Sequence, residues 1–261
     1  MFSGDLFPTQ NLNPDMIYST RTRVSSEGLI DFANLIKLDG LGLGEQELAL
    51  GKKNWDILKN RAGFPLVLSN LVDAEDKPYF TPSLILKRGE LKIGVLALIS
   101  PGLYPGPVTA TFPGARLKDP IATARELVQE LKPQVDLIVL LSHLGMETDE
   151  QIPGQVEGIN LIIGSHPGMQ LFSPTEIQDT LIVQTGEQGK YIGHLELKVT
   201  GTSPWKPFPW TKNVPYPPSL DNHGGILWYK NFLEAASEDI PEDAQAQQLL
   251  RRIKANLSNL N

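Results

Sequence analysis

Two apolar runs that each end in a Gly/Ser/His turn constrain the fold of this chain most strongly. The first run ends at His143 and the second at His166. Leu, Ile and Val dominate both runs, which is typical of strands buried on both faces of a sheet. Because α/β proteins place their chemistry at strand ends, each imidazole is a candidate metal ligand or proton carrier. For either histidine alone, a hydrogen-bonded cap on the strand is the alternative role.

Helical and strand patterns alternate along the chain. Apolar spacing predicts an amphipathic helix over residues 27–38, and Asp119 followed by Pro120 is typical of a helix start. Two apolar segments around Arg88 predict a hairpin, and strict alternation over residues 194–199 predicts a half-exposed strand. The sequence therefore predicts an α/β fold with a mixed sheet.

Composition divides the chain into a globular part and a tail. Residues 201–226 are rich in Pro, Trp and Gly without a period, and a helix is predicted from about Pro241 to Lys254. We expect residues 1–200 to form one domain, and residues 201–261 to be an irregular segment plus a C-terminal helix packed on that domain. The first residues read as a strand end running into a turn, so the domain is expected to begin upstream.

Charge and composition exclude several classes of function. Lys and Arg number 23 against 30 Asp and Glu, which gives a net charge of −7 without a basic run. A nucleic-acid polymer is therefore not an expected partner. The absence of cysteine from this sequence excludes disulfides, thiolate zinc sites and cysteine nucleophiles within it. Since no apolar run approaches about 20 residues, no membrane span is predicted.

Two acidic turns extend the set of candidate ligands. Asp5 follows the first strand end, and Glu45 and Glu47 follow a glycine-rich stretch. With His143 and His166 they offer carboxylates and imidazoles, the ligands of Mn²⁺, Zn²⁺ or Fe²⁺ in sites with open positions. The alternatives are an Asx turn at Asp5 and a solvated turn or first helical turn at Glu45 and Glu47.

Other motifs carry less information. The glycines at 40, 42 and 44 are spaced unlike a dinucleotide-binding loop and follow a predicted helix rather than a strand. His194 lies on the polar face of its predicted strand, which indicates an exposed residue. His223, which precedes two glycines, could approach the site but is not counted among the predicted ligands.

The order of these motifs resembles that of the calcineurin-like metallophosphoesterases, and more closely the catalytic domain of 5′-nucleotidases of the UDP-sugar hydrolase type. The resemblance implies a four-layer α/β/β/α sandwich with mixed sheets, here lacking its first strand. It also implies metal-dependent hydrolysis of small phosphate esters such as nucleotides, and a periplasmic or other extracytoplasmic location. The matching segments are 4–7, 43–51, 64–70, 141–145, 163–166 and 182–193.

The sequence departs from the family pattern at one of the two metal sites. The family carries an Asp-x-His pair upstream of the Gly-Asp motif, and its last motif ends in His or Gln where this chain has Gly168. By resemblance, the second site is kept by Asp5, His143 and His166, with Glu45 in place of the family's Asn. The resemblance therefore implies one divalent ion, Mn²⁺, Zn²⁺ or Fe²⁺, rather than two.

The family's catalytic dyad is also replaced. By resemblance, Gln46 stands in place of the catalytic His, and Ala49 in place of its Asp partner. Glutamine cannot exchange protons, so general acid catalysis by this pair is lost and hydrolysis is expected to be weak or absent. Two alternatives stay open: a non-catalytic metal- or partner-binding scaffold, and a redox protein with a reactive Cys or selenocysteine upstream. The redox alternative rests on a resemblance to nucleotidase-like selenoproteins.

Overall fold

The computed structural model describes residues 1–7, 19–102, 108–199 and 226–260. These residues divide into two compact units. The first unit comprises Met1–Pro82, Ala97–Pro120 and Glu238–Asn261, and the second comprises Ser83–Leu96 and Ile121–Ser237. His223 and most of the predicted irregular segment lie outside the described residues, and the predicted domain limit at residue 200 stays a prediction.

Helices and strands follow one another along the chain. In order, they are α1 (Thr20–Leu35), β1 (Leu41–Gly42), α2 (Glu45–Ala49), α3 (Gly51–Leu58), β2 (Leu66–Val67), β3 (Leu71–Val72), β4 (Ser83–Arg88), β5 (Leu91–Ile99), β6 (Arg116–Leu117), α4 (Pro120–Leu131), β7 (Leu137–His143), α5 (Met146–Gln155), β8 (Leu161–Gly164), β9 (Thr175–Ile177), β10 (Thr180–Val183), β11 (Tyr191–Val199), β12 (Ile226–Ala235) and α6 (Ala244–Ser258).

The first unit is built from short strand pairs and helices around an aromatic core. Strands β1 and β2 pair in parallel, and Phe2 makes an isolated parallel bridge to Leu41. Phe7 packs edge-on against Trp55, with ring centroids 5.6 Å apart, and both side chains are buried. Burial of these large rings contributes a major part of the hydrophobic stabilisation and anchors the turn that precedes Phe7.

A six-stranded mixed sheet in the order β4-β5-β7-β8-β10-β9 lies in the second unit, except for the last three residues of β5. Strands β7, β8 and β10 run parallel, whereas β4 pairs antiparallel with β5 and β9 with β10. All seven residues of β7 are buried. Because β7 and β8 are adjacent and parallel, their carboxyl ends lie at the same edge of the sheet.

Most predicted elements are confirmed. The structure has the two apolar strands, the hairpin, the helix start at Pro120 and the mixed α/β class, and its C-terminal helix begins at Ala244. The helix predicted over residues 27–38 is instead α1, which begins at Thr20. Ser19 explains the earlier start, because its hydroxyl accepts the backbone N–H of Thr22 at 3.1 Å and caps the helix. Among the described residues, no helix is both long and apolar enough to cross a bilayer.

Candidate metal centre

Glu47 holds the turn that carries Asp5. The Glu47 carboxylate accepts four backbone N–H groups: those of Asp5 and Gly44 at 2.8 Å each, that of Leu6 at 2.7 Å and that of Phe7 at 3.0 Å. A carboxylate has about four acceptor positions, so these donors occupy its capacity. Glu47 is fully buried. The Glu47 carboxylate therefore stabilises the turn, whereas the side chain of Asp5 is the candidate ligand that this turn carries.

Asp5 lies against the beginning of helix α2. Its backbone φ of 57° falls in the left-handed region, which Asp tolerates better than most residues. Its Oδ1 atom accepts the backbone N–H of Gln46 at 3.3 Å. Glu45 is the first residue of α2 and is half-buried, which confirms the first-turn interpretation of its backbone. The first unit thus brings Asp5 and the Glu45–Gln46 turn together.

His143 and His166 come together in the second unit. His143 is the last residue of β7 and is fully buried, and His166 follows β8 by two residues. Their ring centroids are 5.3 Å apart with the planes inclined at 59°. Nδ1 of His143 lies 2.6 Å from Oγ of Ser165. A metal-ligand role of His143 would therefore fall to Nε2.

Asp149 is a buried acid beside this histidine strand that the sequence reasoning missed. The Ser142 hydroxyl donates to its Oδ1 atom, while Oδ2 has no hydrogen-bond partner among the described residues. Burial raises the pKa of Asp149 to about 7, although the Ser142 hydrogen bond, and His143 when its ring is protonated, oppose this shift. A Cβ added at Gly164 would lie 2.9 Å from Asp149 Oδ2 and 3.0 Å from Gln184 Oε1, so glycine leaves room for both.

Two further positions, His194 and Gly168, are not candidate metal ligands. His194 stacks on Phe232 with ring centroids 4.5 Å apart, and its Nε2 lies 2.9 Å from Glu234. The residue is half-buried and its side chain is 40% exposed, so it lies partly at the surface rather than fully in solvent. Gly168 has a φ of 67°, and a Cβ there would lie 3.1 Å from Cβ of Glu187. The position where the family carries His or Gln therefore suits glycine in this chain.

Comparison with known proteins supports the fold. No family model matches the chain. Residues of the chain superpose on the sulfate thiohydrolase SoxB of Thermus thermophilus with a TM-score of 0.77 at 21% identity, covering 98% of this chain and 42% of that one. A 5′-nucleotidase precursor from the same organism gives a TM-score of 0.70 at 26% identity, covering 90% of this chain and 46% of that one. The calcineurin-like phosphoesterase YfkN of Bacillus subtilis gives a TM-score of 0.72 at 18% identity, covering 98% of this chain and 82% of that one, so the chain has the mixed α/β fold of these proteins.

Sequence comparison finds relatives among metallophosphoesterases and 5′-nucleotidases. The chain is 30% identical over 177 residues to the uncharacterized metallophosphoesterase YunD of Bacillus subtilis, covering 65% of this chain and 37% of that protein. It is 28% identical over 193 residues to a 5′-nucleotidase of Diplobatis ommata, covering 64% and 33%. The predicted resemblance to metallophosphoesterases of the 5′-nucleotidase type is confirmed. The chain spans only 37% and 33% of the lengths of these two relatives.

Proposed function

We propose that this chain is a divergent 5′-nucleotidase-like phosphoesterase in which Asp5, Glu45, His143 and His166 hold one divalent cation. The pair of histidines carries the proposal, because their rings lie 5.3 Å apart at the ends of two adjacent parallel strands. Imidazoles combined with carboxylates suit Zn²⁺, Mn²⁺ or Fe²⁺. Two carboxylates would also offset the charge of the ion.

The chain's own residues would prepare this site. Glu47 fixes the Asp5 turn through four backbone hydrogen bonds, and burial keeps the His143 ring away from bulk water. The half-buried Gln46 follows Glu45 and offers an amide that can donate to a phosphoryl oxygen but cannot carry a proton. When bound, the cation would polarise a phosphoryl oxygen and lower the pKa of a water molecule.

The proposed substrate is a small phosphate ester, with a nucleoside 5′-monophosphate as the first choice. The support is the activity for which relatives such as the 5′-nucleotidase of Diplobatis ommata are named. A net charge of −7 repels anionic substrates, so a bound cation would supply the local positive centre. The proposal includes a role in nucleotide catabolism in the periplasm, to be checked by fractionating the native cells.

Metal stoichiometry and hydrolysis test the proposal together. We would strip the protein with a chelator, titrate it with Zn²⁺ or Mn²⁺ by calorimetry, and assay release of phosphate from a nucleoside 5′-monophosphate. One ion per chain should bind, and both Asp5→Asn and His143→Ala should abolish binding and turnover. His194→Ala is the matched control, because this histidine lies on the two-stranded β11–β12 sheet with a side chain 40% exposed and should change neither. Turnover that survives His143→Ala contradicts the proposal.

A non-catalytic scaffold is the second candidate, and the Gln46 and Ala49 replacements favour it. It predicts that the metal binds at one ion per chain while phosphate release stays at the rate of free metal in buffer. Gln46→His restores a proton carrier at a half-buried position. Appearance of turnover in Gln46→His alone would support the scaffold as a lapsed enzyme, and turnover already present in the wild type would exclude it.

A further inference from the structure

A chain of two hydrogen bonds fixes where the His143 ring carries its proton. Oγ of Ser165 lies 3.0 Å from the carbonyl oxygen of Ser142 and 2.6 Å from Nδ1 of His143. A carbonyl oxygen can only accept a hydrogen bond, so the hydroxyl of Ser165 is the donor in its hydrogen bond to the Ser142 carbonyl. Since a serine hydroxyl has one proton, Ser165 accepts from His143. Nδ1 of the neutral ring therefore carries the proton, and Nε2 carries the lone pair.

We propose that Ser165 is a positioning residue that selects the Nδ1–H tautomer of His143. The inference rests on the proposed function in so far as His143 is a metal ligand there. A histidine binds a metal through its unprotonated nitrogen, and the hydrogen bond of the other nitrogen decides which one that is. Ser165 therefore prepares Nε2 for ligation before any ion binds.

The acceptor of this arrangement is itself held in place. Ser142 pairs with Gly164 in the parallel register of β7 and β8, so its carbonyl belongs to the sheet. The Ser142 side chain donates to the buried Asp149. On the other side, the carbonyl oxygen of Ser165 accepts the N–H of Gly168 at 3.0 Å, which closes the turn after β8. The backbones of both serines are thus fixed, and the hydroxyl of Ser165 is directed by its contacts with the Ser142 carbonyl and the His143 ring.

Removal of the Ser165 hydroxyl takes away the acceptor for the Nδ1 proton. The proton of His143 can then move to Nε2, which leaves no lone pair there for a metal ion. An entering ion would have to shift the proton first, and the affinity should fall by about 10–100-fold, as for loss of other hydrogen-bond partners of metal-binding histidines. Threonine keeps a hydroxyl that can replace that of Ser165, whereas valine has the shape of threonine without the hydroxyl.

The test compares Ser165→Ala, Ser165→Val and Ser165→Thr in the full chain stripped of metal. Long-range ¹H–¹⁵N spectra near pH 8.5 report which ring nitrogen carries the proton, and His143→Ala assigns the signals. Wild type and Ser165→Thr should show a protonated Nδ1 and an unprotonated Nε2. Ser165→Ala and Ser165→Val should show a mixture or the opposite tautomer. Ser173→Ala, an exposed serine of the same unit, should leave the spectrum unchanged.

The outcomes separate this inference from the proposed function. If His143 keeps its proton on Nδ1 in both Ser165→Ala and Ser165→Val, the positioning role is overturned. Zinc titration of the same proteins should show the 10–100-fold loss in the two variants without a hydroxyl and near-normal affinity in Ser165→Thr. If the wild type binds no zinc while its tautomer still depends on Ser165, the positioning role stands and the metal proposal fails.

Discussion

Replacing Glu47 with Gln tests the assignment of this carboxylate to the Asp5 turn. Its Oε2 atom accepts the N–H groups of Asp5 and Gly44, and Oε1 accepts those of Leu6 and Phe7. In Gln one oxygen becomes an NH₂ group, so two backbone donors face a donor. An unsatisfied buried donor costs about 1–3 kcal/mol, and two of them should lower the free energy of unfolding by about 2–6 kcal/mol.

Urea unfolding of the metal-free protein, followed by circular dichroism, measures this loss. Glu45→Gln is the matched control, since Glu45 lies two residues away, is half-buried and is a proposed metal ligand. It should change the free energy of unfolding by less than about 1 kcal/mol while weakening metal binding. The reasoning is refuted if Glu47→Gln costs less than about 1 kcal/mol, or if the two variants are equally destabilised.

Two further predictions concern buried groups of the second unit, and a third concerns the proposed metal site. Burial raises the pKa of Asp149 from 3.8 to about 7 in the folded protein, so between about pH 4 and 7 the folded state holds a proton that the unfolded state has already lost. The stability that this group contributes is therefore full at low pH and falls as the pH rises through that window. In urea unfolding, Asp149→Asn should be more stable than the wild type by up to about 4 kcal/mol above pH 7 and differ little from it at pH 4. The same difference at both pH values would contradict this prediction. Gly164→Ala should lower the free energy of unfolding by about 1–3 kcal/mol, because its Cβ would meet two buried polar atoms. Gly154→Ala in α5, where the nearest atom is 3.9 Å from the added Cβ, should be neutral or stabilising by up to about 1 kcal/mol. Equal effects of the two substitutions in thermal melts would contradict this prediction. Zn²⁺ at about 100 times its dissociation constant should stabilise the wild type by about 2.7 kcal/mol, and His143→Ala should remove this shift in Tm.

The sequence allowed the histidine strands to be predicted because their pattern is local. Each run of Leu, Ile and Val reports burial on both faces, and β7 and β8 indeed end at or just before the two histidines. The beginning of α1 was missed because the Ser19 cap precedes a polar stretch without an apolar stripe. Local patterns therefore predicted elements better than their boundaries.

The roles of the acidic residues could not be predicted in the same way. Glu45 and Glu47 look equivalent in the sequence, yet Glu47 is committed to backbone donors about 40 residues away in the chain. Asp149 carries no motif of its own, and its raised pKa arises from burial beside β7 and β8. Such roles depend on tertiary packing, which no spacing rule records.

The most direct measurement is a crystal structure of the protein soaked with zinc, with anomalous data collected at the zinc edge. We expect one strong peak, bound by His143 Nε2, a nitrogen of His166 and carboxylate oxygens of Asp5 and Glu45 at about 2.0–2.2 Å. No peak at these residues, or a peak bound by the histidines without either carboxylate, would contradict the proposed site.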